Sequence, residues 1–198
     1  MSNPRIIAGK ARGFRLQDVP GDITRPITDR VKEALFNILA GDILDATIWD
    51  LFAGTGSVGI EALSRGAAFA RFVDKNRPAY LAVKTNLERT GLGEHAQVVL
   101  GDAFSQVKQA PDRAFDYIFV APPQYKELWS QMMVALDEAP GWLAADGWII
   151  VQIDPVEYQA LELRRFTEFD QRRYGSTLLV FYRSKNLPLR PPSAETPP

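Results

Sequence analysis

From Ile48 onward the chain alternates short apolar runs with longer amphipathic stretches. TIWDLF, ARFVD, AQVVLGDA, FDYIFV and GWIIVQI are dense in β-branched and aromatic residues and predict five strands. Between them, GTGSVGIEALSRG, RPAYLAVKTNLERTG and KELWSQMMVALDEA predict helices, with Pro78 in the first turn of the second. Strands that alternate with helices pair in parallel, with helices covering both faces. After PVEYQALEL the rhythm changes: two strand-like runs in RRFTEFDQRRYGSTLLVFYRS flank Tyr174, Gly175 and Ser176, the pattern of an antiparallel hairpin. The expectation is an α/β fold, a doubly wound and mostly parallel seven-stranded sheet closed by that hairpin.

The N-terminal part has its own pattern. RIIAGKARGFRL places two short runs around Gly9 and Gly13, which predicts a small basic hairpin. PGDITRPIT reads as a loop. Thr28 precedes Asp29 as a helix cap, and Val31, Leu35, Ile38 and Leu39 share one face of the helix, with Gly41 as its stop. Residues 1–185 are thus expected to form one domain, with 1–45 as its hairpin-and-helix extension. The proline-rich end, 186–198, is expected to be a disordered tail.

Composition narrows the function. The 198 residues contain no cysteine, which excludes disulfides, thiolate catalysis and cysteine-bound zinc. The single histidine, His95 in GLGEHAQ, reads as a solvated loop residue, and no metal is expected. No charged-then-apolar leader opens the chain, and no apolar run nears the roughly 20 residues of a membrane span, so a cytoplasmic protein is expected. The net charge of −1 hides a division. Residues 1–35 carry seven Lys/Arg against four Asp/Glu, 36–163 nine against seventeen, and 164–190 seven against two. Basic ends around an acidic middle suggest a nucleic-acid partner, the alternative being merely solvated faces. Arg5, Lys10, Arg12 and Arg15, with no acid among the first fifteen residues, are the candidate phosphate contacts.

Gly54, Gly56 and Gly59 form a G-x-G-x-x-G turn between a strand and a helix, and Asp74 lies twenty residues beyond Gly54. This spacing points to a nucleoside-bearing cofactor, with the carboxylate on its ribose. Asp50, four residues before the first glycine, would repel a pyrophosphate but suits a cation. Asp102 follows the third strand, where it can accept from an adenine amine. Three carboxylates at successive strand ends favour a positive, phosphate-free cofactor, and S-adenosylmethionine has those properties. A nicotinamide-dependent oxidoreductase is the alternative on the glycine pattern alone.

RIIAGKARGFRL, RPITDRVKEALFNIL and DLFAGTGSVGIEALSRGA together resemble the RsmD family of bacterial methyltransferases. The resemblance implies a Rossmann-like class I fold and S-adenosylmethionine-dependent methylation of the exocyclic N2 of a guanine in 16S rRNA. The partner is then that rRNA or a small-subunit assembly particle. By the same resemblance Asp50, Ala53, Gly54 and Gly56 would cradle the methionine end. Asp74 would hold the ribose and Asp102 with Ala103 the adenine. Arg25 and Thr28 would cover the cofactor.

FVAPPQY, residues 119–125, departs from the family's usual Asp- or Asn-Pro-Pro-aromatic loop. A guanine amine is a weak nucleophile, and oxygen acceptors must draw on its hydrogens to turn the lone pair toward the methyl group. Here Ala121 replaces the acid and Gln124 the aromatic. In the favoured reading the carbonyls of Ala121 and Pro122 hold the amine, Pro123 stiffens the loop, Gln124 adds an acceptor and Tyr125 stacks on the base. Two other readings are a loop suited to a different base, and a catalytically impaired RNA-binding or ribosome-assembly protein.

Overall fold

A computed structural model describes residues 4–20, 27–124, 127–139 and 141–186. The seven strands are β1 (Thr47–Asp50), β2 (Phe69–Asp74), β3 (Ala96–Leu100), β4 (Phe115–Val120), β5 (Leu143–Ile153), β6 (Phe166–Tyr174) and β7 (Thr177–Ser184). They form one sheet in the order β3-β2-β1-β4-β5-β7-β6. The first five run parallel, and β7 is antiparallel to both β5 and β6. The expected doubly wound sheet with an antiparallel C-terminal hairpin is therefore present.

The helices are α1 (Asp29–Leu39), α2 (Ser57–Ser64), α3 (Arg77–Thr90), α4 (Ala103–Val107) and α5 (Leu128–Glu138). Side chains of α1, α2 and α3 pack with Ile48, Tyr117, Phe119 and Ile150 on one sheet face. Those of α4 and α5 pack with Trp49, Ile118, Val120 and Val151 on the other. Both parities of each central strand are apolar because both faces are covered. Alternation along a strand still decides which face a residue joins.

Three local expectations change. The helix after Thr28 ends at Leu39, and Ala40 rather than Gly41 takes the unusual backbone, at φ 42°. A 3₁₀ turn follows at once and carries Ile43 into the core, so packing sets the stop. Residues 5–16 form not two strands but one antiparallel bridge, Arg5 to Arg15, with Ile6 N–H donating to the Phe14 carbonyl at 2.9 Å. The segment bonds to α2 instead of extending a ladder of its own. Helix α4 was not expected, since five residues are too few to show a helical period. All but the first residue of the proline-rich tail lie outside the described residues.

Candidate active site

Strand order reverses between β1 and β4, and a cleft of about 880 Å³ opens there, at the carboxyl ends of the strands. That volume lies within the roughly 300–1,000 Å³ of small-molecule sites. Asp50, Ala53, Gly54, Asp74, Asp102 and Ala103 all line it, as do Ala121, Pro122, Pro123 and Gln124. Residues far apart in the chain thus meet in one place.

The glycine loop is a tight turn. Gly56 N–H donates to the Ala53 carbonyl at 2.7 Å, and Ala53 N–H to the Val73 carbonyl at 2.9 Å. Gly54 and Gly56 hold φ of 53° and 76°, the left-handed region that favours glycine. The three glycines serve differently. Gly54 lines the cleft. Gly56 turns away from it, and a Cβ there would lie 3.1 Å from Ile60. Gly59 lets α2 approach β2, for a Cβ there would fall 2.3 Å from the Phe72 ring.

The acids are held by backbone amides. Asp74 Oδ2 accepts from Gly54 N–H at 3.0 Å and Oδ1 from Asn76 N–H at 2.8 Å. It therefore clamps the glycine loop, and each oxygen keeps a second lone pair for a hydroxyl. Asp50 is buried, with amides of Gly59 and Phe52 as partners. Its Oδ1 has no hydrogen-bond partner among the described residues. Burial, and then the neighbouring Asp74 charge, push its carboxyl up to about 7. An unpaired acid oxygen on a residue that lines a cleft calls for a hydrogen-bond donor, best a cationic one, and the ammonium of S-adenosylmethionine fits it. Asp102 is exposed, and its Oδ2 caps α4 by accepting from Ser105 N–H at 3.0 Å and Ser105 Oγ–H at 3.2 Å. No described hydrogen bond uses its Oδ1.

Other expected site residues are placed differently. Thr28 Oγ1 caps α1 by accepting from Val31 N–H at 3.3 Å, and Ile27 lines the cleft in its stead. Arg25 and Tyr125 lie outside the described residues. Arg5, Lys10, Arg12 and Arg15 are all exposed, and Arg5 is paired with Asp29 at 3.3 Å.

Sequence reasoning missed the attachment of this basic segment. Glu61 on α2 is wholly buried and accepts from Ile7 N–H at 2.8 Å and Ala8 N–H at 3.0 Å. It also faces Lys32 at 3.5 Å and Arg65 at 2.8 Å. The Lys32 ammonium, equally buried, donates to the Arg5 carbonyl and to Ser57 Oγ, a cleft residue. A Cβ on Gly9 would fall 1.8 Å from the Ser64 carbonyl, so the chain lies directly on the helix there. The one available signal was a lysine between Val31 and Leu35 on an otherwise apolar helix face.

The chain matches the family described as Conserved hypothetical protein 95 over residues 4–183. It is 41% identical to Ribosomal RNA small subunit methyltransferase D of Escherichia coli K12, over 75% of this chain and 73% of that protein. The chain belongs to the RsmD family. It is also 41% identical to YlbH of Bacillus subtilis, over 91% of this chain and 99% of its relative. Among solved structures, a putative methyltransferase, yhhF of Escherichia coli, superposes with a TM-score of 0.81 at 33% identity. That match covers 92% of this chain and 98% of the other.

Proposed function

We propose that this chain is an S-adenosylmethionine-dependent methyltransferase acting on the exocyclic N2 of a guanine in small-subunit rRNA, with residues 1–185 as one methyltransferase domain. The carrying observation is Asp50, a buried acid with an unpaired oxygen, set beside the glycine loop and Asp74 in one cleft. The relatives named as small-subunit rRNA methyltransferases supply the substrate class. No helix among the described residues is long and apolar enough to cross a membrane, which suits a cytoplasmic rRNA enzyme.

Asp50 and the loop at Ala53 and Gly54 hold the methionine end, Asp74 the ribose, and Asp102 with Ala103 the adenine. When bound, S-adenosylmethionine supplies an electrophilic methyl group: the amine lone pair forms the new N–C bond, sulfur keeps the electrons of the broken C–S bond, and one amine proton passes to water. Ala121 and Pro122 present carbonyls to the amine of the extruded base, and Gln124 adds an acceptor from the loop. Lys10, Arg12 and Arg15 hold phosphates, close to where the Glu61 clamp pins their segment to the helix behind the cofactor loop.

The test is tritiated methyl transfer to small-subunit particles from a host lacking this gene, with the product nucleoside identified. N2-methylguanosine is expected. Cofactor binding without transfer to any ribosomal substrate would establish the impaired, RNA-binding alternative that Ala121 suggests.

A further inference from the structure

Gln152 has no assigned role, yet it lines the same cleft from β5. Its Oε1 is buried and has no hydrogen-bond partner among the described residues. A buried amide oxygen left unsatisfied costs stability, and one on a residue that lines a cleft is placed to be satisfied by what the cleft binds.

Register explains its position. The β4–β5 pairing sets Phe119 beside Ile150 and Val120 beside Val151. Ala121 directly follows Val120 as Gln152 follows Val151, and both residues line the cleft. Phe119 and Ile150 share one core face, and Ala121 packs against it. Gln152 follows Ile150 by two residues and projects to that same face. On its other side Gln152 pairs with Leu179 of β7, which belongs to that core. The position where the family's loop usually carries a side-chain acceptor is thus occupied by a methyl group. The neighbouring strand offers an acceptor beside it.

We propose that Gln152 is a further catalytic residue: its Oε1 accepts a hydrogen from the target base's exocyclic amine and replaces the acceptor absent at Ala121. This rests on the methyltransferase reading above and assigns its missing acceptor to β5 in addition to the loop. The glutamine Oε1 lies three bonds beyond its β-carbon, so an acceptor set back on β5 can serve an amine above Ala121. Its amide also presents oxygen or nitrogen by a half-turn of its last torsion, and an N–H donor from the base selects oxygen.

The experiment compares single-turnover methyl transfer to small-subunit particles by wild type, Gln152→Met, Gln152→Glu and Gln124→Met, with cofactor affinity from calorimetry. Gln152→Met keeps the shape and loses the acceptor. It is expected to lower the single-turnover rate at saturating particle roughly ten- to a hundred-fold, with little change in the half-saturating particle concentration. Gln152→Glu keeps an acceptor and is expected to transfer faster than Gln152→Met. The deciding arm is Ala121→Asn on the Gln152→Met background, expected to recover at least ten-fold of the lost rate by restoring an acceptor on the loop. A merely structural Gln152 would give no such rescue. Wild-type transfer with an undiminished Gln152→Met rate, or loss confined to Gln124→Met, overturns this inference and leaves the methyltransferase reading standing. A wild type that transfers no methyl to any particle overturns both.

Discussion

Asp50→Asn separates the electrostatic account of the cleft from a purely geometric one. The Asp50 carboxyl rises from an ordinary 3.8 to about 7. The native state therefore binds its proton more tightly than the unfolded chain does. The associated stability is fully present below about pH 4 and is lost as pH rises through about 7. At about 1.4 kcal/mol per pKa unit, three units amount to roughly 4 kcal/mol by pH 8, in the cofactor-free protein. Asparagine cannot ionise, so the variant should match wild type near pH 4 and exceed it at pH 8 by up to about 4 kcal/mol. Cofactor binding should move the other way. A cation beside Asp50 favours the carboxylate, so binding to wild type expels a proton below pH 7 and weakens up to ten-fold per unit of further acidification. The variant loses that attraction, and its affinity should fall by about 2 kcal/mol at pH 8. Urea unfolding at pH 5, 6, 7 and 8 measures the first effect. Calorimetry in two buffers of different ionisation enthalpy counts the proton. Parallel stability curves for the two proteins from pH 5 to 8, or equal cofactor affinity at pH 8, would refute the argument.

Two further perturbations probe the N-terminal segment. Replacing Arg12 and Arg15 with alanine should weaken RNA binding and lower its log–log salt slope by roughly 0.7–0.9 per lost contact, while cofactor affinity holds; filter binding from low to moderate salt measures this, and a slope equal to wild type counts against a phosphate role. Glu61→Gln leaves the buried Lys32 without its counter-charge and should cost about 3 kcal/mol in urea unfolding, with faster proteolysis between residues 5 and 15. A change under about 0.5 kcal/mol would show that Glu61 does not clamp the segment.

Much of the architecture was legible because it follows from short-range pattern. FDYIFV is apolar apart from Asp116 and becomes β4 at the expected residues, 115–120. Tyr174, Gly175 and Ser176 mark the hairpin between β6 and β7. The glycine loop announced itself because close backbone approach leaves few alternatives to glycine, and Asp50 and Asp74 followed from their spacing to it. What each residue faces was another matter. Gly56 and Gly54 look alike in sequence, and only packing against Ile60 and Val83 separates the turn-maker from the cleft residue. Asp74 read as a ribose ligand, but the amides of Gly54 and Asn76 make it a clamp on the loop as well. Asp102 gained a second task as the cap of a helix too short to leave a period.

Gln152 lies furthest beyond sequence reasoning. Within GWIIVQI it is one polar residue near the end of a buried strand, where a solvent-facing side chain would be the ordinary reading. Its meaning comes from β5 lying beside β4, with Val151 paired to Val120, so that Gln152 and Ala121 line one cleft. Strand order and register are long-range quantities, set by burying two apolar faces at once, and no local run of residues encodes them. Lys32 and Glu61 are of the same kind, 29 positions apart in the chain, and nothing local to either names the other as its partner. Folding excludes water from both, and in that low-dielectric space each becomes the other's necessary partner.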